Sequence, residues 1–156
     1  GPTRIAVEGL ADAARLLPGG EGALEGNARR LLAALRAACE AEAARTGARL
    51  VLCANDDAAI SERFASLDGQ AAENLMASAF DAPPAYATGL SLRRGLHAVE
   101  AAQEHGLLAE YLDEAPALRV GLAPEDFAPE SLAGLLQKIT LQTACPAVEI
   151  LASSRE

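Results

Sequence analysis

The sequence predicts an α/β fold in which parallel strands alternate with helices. Short apolar runs, bounded by polar or proline-containing turns, recur between longer segments whose apolar residues are spaced as on one face of a helix. After the first predicted strand, a helix separates each strand from the next. This order is typical of parallel strands joined by right-handed crossovers.

Two helices are predicted before the first strand. Apolar residues at nearly helical spacing predict a helix over 5–17, which a Pro-Gly-Gly turn ends. A longer helix is predicted over 22–45, because one apolar stripe runs from Leu24 to Cys39 and Thr46-Gly47 follows it. The charged residues on its opposite face are interpreted as a solvated surface.

The remaining segments supply four predicted strands and three predicted helices. The strands cover 48–54, 86–92, 118–122 and 147–152, and the helices cover 57–76, 95–112 and 129–143. Four strands do not close a barrel, so the sheet is either open or completed by a partner. Ligands of such sheets bind at the carboxyl ends of the strands, and we expect a site in the loops there.

Length and cysteine usage favour one domain in a reducing compartment. The chain has 156 residues, enough for a core of its own. We expect residues 3–156 to form a single α/β domain, either complete or excised from a longer chain, and interpret Gly1-Pro2 as the remnant of a tag. Cys39, Cys53 and Cys145 are interpreted as buried thiols, which favours the cytoplasm.

The charge of the chain argues against polyanionic partners. There are 13 Lys and Arg against 22 Asp and Glu, a net charge of −9, so we expect neither nucleic acid nor an anionic membrane to bind. No apolar segment approaches the length of a membrane helix. The net charge does not exclude a small phosphorylated ligand, because hydrogen-bond donors in a binding site can outweigh the field of distant carboxylates.

The turn Asn55-Asp56-Asp57 is the leading candidate site, because an apolar strand ends there and a helical pattern begins. Two interpretations are open. The side chains cap the following helix, which is worth about 1 kcal/mol. Alternatively, the turn faces a small polar ligand, and the carboxylates accept hydrogen bonds from its hydroxyl or amino groups. Ser61 and Tyr86 complete the predicted binding residues.

No catalytic or metal-binding motif accompanies this turn. The sequence has no Cys-x-x-Cys, His-Glu-x-x-His, Walker loop or Gly-x-Gly-x-x-Gly after a strand. His97 and His105 are too far apart on one predicted helix to share a metal ion. Arg93-Arg94 is interpreted either as an anion contact or as ordinary surface. We expect no catalytic residue, metal or cofactor in this chain.

Four segments, taken in order, match the pattern of a known family. They are VEGLADAARLL with a Gly-Leu-x-x-Ala helix, RLVLCANDDAAISERFASLD with a strand, turn and Arg-Phe-Ala-x-Leu-Asp helix, YATGLSL, and LRVGLAPEDFAPESLAGLLQKITLQTACPAVEIL with a Pro-Glu-Ser helix between strands. Together they resemble the carboxyl-terminal half of anaerobic ribonucleoside-triphosphate reductases, the glycyl-radical branch of ribonucleotide reductase. The likeness spans nearly the whole chain.

The resemblance implies a fold and a function. The family fold is a ten-stranded α/β barrel made of two half-barrels, and this chain would correspond to most of the second half, with two leading helices. The implied function is that of an oxidoreductase domain forming one wall of a nucleotide-type substrate pocket at Asn55, Asp56, Asp57, Ser61 and Tyr86. The other half-barrel or a second copy of the chain would complete the sheet.

Departures from the family pattern bear on that function. Family members usually carry Thr-Pro-Ala-Glu-Ser where this chain has Asn55-Asp56-Asp57-Ala58-Ala59. Carboxylates there argue against phosphate binding at the turn. Nothing after Ser153 resembles the family's four-cysteine zinc site or glycyl-radical loop, and no cysteine aligns with its radical cysteine. We expect a domain that is not catalytic on its own; the alternative is a non-catalytic interaction or regulatory module that retains the fold.

Overall fold

The computed structural model describes residues 1–57, 59–60, 62–67 and 88–152. Its strands are β1 (Thr3–Val7), β2 (Leu50–Ala54), β3 (Leu118–Leu122) and β4 (Val148–Ala152). Its helices are α1 (Leu10–Leu16), α2 (Leu24–Thr46), α3 (Ala98–Ala109) and α4 (Pro129–Gln142), with short 3-10 helices at Gly20–Ala23 and Pro124–Phe127. Residues 59–60 and 62–67 are also helical.

The strands form two parallel pairs. β1 pairs with β2, in a register from Thr3 opposite Leu50 to Val7 opposite Ala54. β3 pairs with β4, from Leu118 opposite Val148. Helices connect the strands within each pair, as parallel strands require. The predicted α/β class is therefore confirmed.

The prediction of a helix over 5–17 was wrong in its first part, because the fold begins with a strand. Residues 3–7 pair with β2, and the two helices that were expected to lead the chain follow this strand. Gly9 separates strand from helix, since its φ of 66° lies in the left-handed region that glycine tolerates. A short apolar run fits either period, and long-range pairing decides the outcome here.

The strand predicted over 86–92 is also wrong within 88–92, while residues 86–87 lie outside the described part. Residues 89–90 form a turn, and Gly89 has a φ of 62°. The apolar alternation that suggested a strand comes from Leu90 and Leu92, which are both buried in the core. The Leu92 N–H donates to Glu104 Oε1 at 3.0 Å. This side-chain acceptor takes the place of the backbone carbonyl that a neighbouring strand would supply.

The other predicted elements are present with small shifts at their ends. α2, β2, β3, α4 and β4 lie where the sequence places them, and α3 is shorter than the predicted 95–112. Of the helix predicted over 57–76, residues 59–60 and 62–67 are helical, and 68–76 lie outside the described residues. Elements whose position follows from local hydrophobic periodicity were thus predicted well.

Two hydrophobic clusters share α3. The first packs β1, β2, α1 and α2 against Leu108 and against the segment at 90–92. Its most buried members are Ala11, Ala14, Ala28, Leu32, Leu52, Leu90, Leu92 and Leu108. The second surrounds β3 and consists of Ala102, Leu118, Val120 and Ile139. Because α3 contributes to both clusters, it ties the two strand pairs together.

A short segment after α3 lies beside the free edge of β2. Glu114 forms an isolated parallel bridge with Cys53, and the Asp113 N–H donates to Leu52 O at 2.8 Å. The Leu52 N–H donates in turn to Asp113 Oδ2 at 2.8 Å. β2 is thereby flanked by β1 on one side and by this segment on the other.

The three cysteines are free thiols, but they are half-buried, so the interpretation as buried thiols was wrong in degree. Cys53 Sγ donates weakly to Ile5 O at 3.6 Å. Burial raises the pKa of the Cys145 thiol, whose Sγ donates to Ala147 O at 3.4 Å. A raised pKa leaves little thiolate, which makes Cys145 a poor nucleophile.

No helix among the described residues has the length and apolar character needed to cross a membrane.

His105 is a buried histidine on α3. Only 4% of its surface is exposed, and its Nε2–H donates to Pro116 O at 2.9 Å. Burial lowers the pKa of His105, and the bond to Pro116 offsets this only in part. In the unfolded chain the imidazole keeps its ordinary pKa of 6.5. The unfolded state therefore takes up a proton first as the pH falls.

We expect this difference to make folding stability depend on pH. The contribution of His105 is fully present above the unfolded pKa and is lost as the pH falls below it, toward the lowered pKa of the folded state. Denaturant unfolding of the wild type should give a falling free energy of unfolding from about pH 7 to 5. His105→Gln should flatten that slope. His97→Gln, at an exposed histidine, should keep it, and an equal slope in both variants would contradict the assignment.

Candidate functional site

The predicted site residues lie only partly within the described chain. Asn55, Asp56 and Asp57 are described, whereas Ser61 and Tyr86 lie outside the described residues. The turn directly follows β2, at the carboxyl end of the β1–β2 pair, which is the position that the sequence predicts. What the structure adds is the set of side chains that meet there.

Asn55 is held by hydrogen bonds to two other segments. Its backbone N–H donates to Val7 O at 3.0 Å, and its own carbonyl accepts the Gly89 N–H at 2.6 Å. Its side-chain Nδ2 donates to Glu8 Oε2 at 2.5 Å. Asn55 thus fixes the carboxyl end of β1, the turn and the 88–92 segment relative to one another.

Glu8 is the site residue that the sequence did not point to. It follows β1 directly, and the strand register places it beside Asn55. Its Oε2 accepts from Asn55, whereas Oε1 is buried and has no hydrogen-bond partner within the described part of the chain. Buried polar atoms are almost always hydrogen-bonded, because losing water without a new partner costs free energy. Glu8 Oε1 is therefore an acceptor suited to a hydroxyl or amino group.

Asp57 acts locally. Its backbone N–H donates to Asn55 Oδ1 at 3.1 Å, and its own Oδ1 accepts the Ala59 N–H at 2.9 Å. These two contacts form a turn that leads into the helical residues at 59–60. The capping interpretation holds for this carboxylate.

Asp56 connects the turn to the second strand pair. Its Oδ2 lies 3.3 Å from Arg119 Nη2, and Arg119 on β3 also donates to Glu149 Oε2 on β4 at 3.0 Å. The bond to Glu149, followed by the charge of Asp56, raises the pKa of the Arg119 guanidinium. Gly89 is close as well, because a Cβ atom there would lie 3.9 Å from the Asp56 Cβ.

Carboxylates dominate the charge of this site. Glu8, Asp56 and Asp57 contribute three negative charges, and Arg119 is shared between Asp56 and Glu149. Such a surface repels phosphate and accepts hydrogen bonds from hydroxyl and amino groups. Within the described ranges, no group of three or more His, Cys, Asp or Glu side chains is arranged to hold a metal ion.

Arg93 does not serve as a free anion contact. Its Nε donates to Glu104 Oε2 at 3.0 Å, and its Nη2 lies 3.8 Å from Glu25 Oε2. This guanidinium neutralises a buried carboxylate, a role that neither interpretation of Arg93 foresaw.

No family model matches the chain, and no curated protein matches it with significance.

Proposed function

We propose that this chain forms one wall of a binding site for a nucleotide-type ligand in an anaerobic ribonucleotide reductase-like protein, and that it is not catalytic alone. The observation that carries the proposal is the Glu8–Asn55 pair, with its buried and unpartnered Glu8 Oε1. The pair lies at the carboxyl ends of parallel strands, where α/β proteins bind ligands.

The chemistry of the wall suits the nucleoside part of a nucleotide. Ribose hydroxyls and base amino groups can donate hydrogen bonds to Glu8 Oε1 and to the Asp56 carboxylate. The same carboxylates repel a phosphate chain. In our proposal the nucleoside therefore faces Glu8 and Asn55, and the phosphates point away from residues 55–57.

The open edges of the strand pairs support a wall that a further half-barrel completes. Among the described residues β1 pairs with β2 alone, and β4 pairs with β3 alone. The segment at 113–114 flanks the outer edge of β2, and the ion pair between Asp56 and Arg119 links the two pairs. Both pairs are parallel, as in the half-barrel that the sequence resemblance implies.

The proposal predicts that the chain binds a ribonucleoside at least as tightly as the corresponding triphosphate. Calorimetric titration with the four common ribonucleosides and their triphosphates measures this. Glu8→Ala should weaken nucleoside binding about ten-fold or more, because a hydrogen bond to a charged acceptor is lost. Glu40→Ala removes the same charge from the exposed face of α2 and should leave the affinity unchanged.

Two outcomes would contradict the proposal. One is a wild-type chain that binds no nucleoside at millimolar concentration. The other is a Glu8→Ala variant that remains folded by circular dichroism and binds as the wild type does.

A second candidate, an interaction module that retains the fold, is favoured by one surface. Ile60, Phe64 and Leu67 are spaced along one face of the helical residues after the turn, and all three are exposed. Exposed apolar side chains in a row are typical of contact surfaces. Absence of nucleoside binding would make this module the leading function.

A further inference from the structure

An open cavity of about 630 Å³, with a wide mouth to solvent, lies along the amino-terminal half of α2. Small residues, Gly22, Gly26 and Ala33, form much of its lining, and Tyr111, which follows α3, lines it as well. The volume lies within the range of small-molecule pockets, roughly 300–1,000 Å³. None of the lining residues belongs to the site around Glu8 and Asn55.

Two guanidinium groups line this cavity, and neutral groups hold both of them. Arg29 Nε donates to Tyr111 Oη at 3.4 Å, and Arg30 Nη2 donates to Asn27 Oδ1. Asn27 is itself completely buried, and its Nδ2 donates to Ala14 O at 2.9 Å and to Pro18 O at 3.2 Å. The arginines are thus oriented without having their charge neutralised by these partners.

The two arginines differ in their carboxylate neighbours. Arg29 forms a long ion pair with Glu110, whose Oε1 lies 3.8 Å from Arg29 Nη2, and the charge of Glu25 also acts on Arg29. Within the described ranges, Arg30 forms no ion pair with a carboxylate. By contrast, Arg45 lies 2.6 Å from a Glu42 oxygen. The residues that line the cavity include these two arginines and no carboxylate, in a chain with a net charge of −9.

The start of α2 contributes a partial positive charge, which Glu25 in its first turn offsets in part. The helix has 23 residues, and no side chain caps its first N–H groups. Aligned peptide dipoles place a partial positive charge at such a helix start. Gly22 and Gly26 bring the backbone close to the cavity, because neither carries a side chain.

We propose that this cavity binds a small phosphate monoester, with the phosphate held by Arg29 and Arg30 and its organic group against Tyr111 and Ala33. Two guanidiniums match a dianion, because each presents a planar set of donors to phosphate oxygens. Tyr111 and Ala33 line the cavity beside the two arginines, which favours an ester whose organic group contacts them. The site is independent of the nucleoside wall proposed above.

Phenyl phosphate is a suitable probe, because it has no sugar hydroxyls that could donate hydrogen bonds to Glu8. We expect saturable chemical-shift changes of the Gly22 and Gly26 amides in an ¹⁵N-labelled chain, and none with phenol. Glu8→Ala should bind phenyl phosphate as the wild type does, which separates this site from the proposed nucleoside wall. A lack of saturable shifts at these two glycines would overturn the proposal.

Two variants test the role of the arginines. Arg29→Gln with Arg30→Gln should weaken binding about ten-fold or more, since charge-assisted hydrogen bonds are lost. Arg45→Gln with Arg49→Gln removes the same charge near the other end of α2 and should change the affinity by no more than about two-fold. Equal losses in the two pairs would show only non-specific attraction and overturn the proposal.

A third variant leaves both arginines in place. Ala33→Glu adds a carboxylate to an exposed position in the cavity lining. It should weaken phenyl phosphate binding about ten-fold or more, because the added charge repels the ligand and competes for the guanidiniums. Wild-type affinity in a folded Ala33→Glu chain would also overturn the proposal.

Discussion

Glu104→Ala should lower the free energy of unfolding by about 2–3 kcal/mol. The Glu104 side chain is only 6% exposed. Its Oε1 accepts the buried Leu92 N–H at 3.0 Å, and its Oε2 accepts from Arg93 Nε at 3.0 Å. Truncation leaves the Leu92 N–H unpaired in the core and removes the nearer of the two carboxylates that pair with Arg93. Urea unfolding monitored by circular dichroism measures the loss.

The exposed partner limits the electrostatic part of this effect. Arg93 is 48% exposed, so water screens its charge, and most of the loss comes from the backbone donor of Leu92. Glu104→Gln keeps an acceptor for Leu92 and should cost only about 1 kcal/mol. Glu40→Ala, at an exposed pair with Arg36, should cost less than about 0.5 kcal/mol. The interpretation fails if Glu104→Ala costs no more than Glu40→Ala.

The role of Glu104 shows where sequence patterns stop being informative. The pattern of α3 predicts its helix, because helical periodicity is local. Nothing local predicts that this glutamate replaces a neighbouring strand for Leu92. The alternation of Leu90 and Leu92 correctly indicated burial, but Gly89 turns the chain and a side chain satisfies the backbone. The strand prediction failed because it assumed a backbone partner.

The candidate site at the end of β2 was also predicted only in part. The turn at 55–57 was placed correctly, since it depends on a strand ending and a helix beginning. Glu8 was missed because residues 5–17, which include the last three residues of β1, were predicted to form a helix. Once β1 is paired with β2, Val7 lies opposite Ala54, and the next residues, Glu8 and Asn55, must be neighbours. The missing information was a register between segments more than forty residues apart.

Helix propensity and packing give opposite expectations at Gly106 on α3. An alanine in a helix is favoured over glycine by about 1 kcal/mol, so propensity alone predicts that Gly106→Ala stabilises the protein. A Cβ atom at Gly106, however, would lie 2.7 Å from the backbone carbon of Ala144 and 2.8 Å from the nitrogen of Cys145. Backbone atoms cannot rotate away as side-chain ends do, so α3 or the 144–145 segment must shift.

We therefore expect Gly106→Ala to destabilise the fold by about 1–3 kcal/mol, despite the gain in propensity. Gly134→Ala on α4 is the matched control, because no atom lies within 4 Å of a Cβ there. It should stabilise the protein by about 0.5–1 kcal/mol. Urea unfolding of the two variants should give shifts of opposite sign. A stabilising effect at both positions would mean that the 144–145 segment moves away from α3 at little cost, and that its packing against Gly106 contributes little to holding β4 in place.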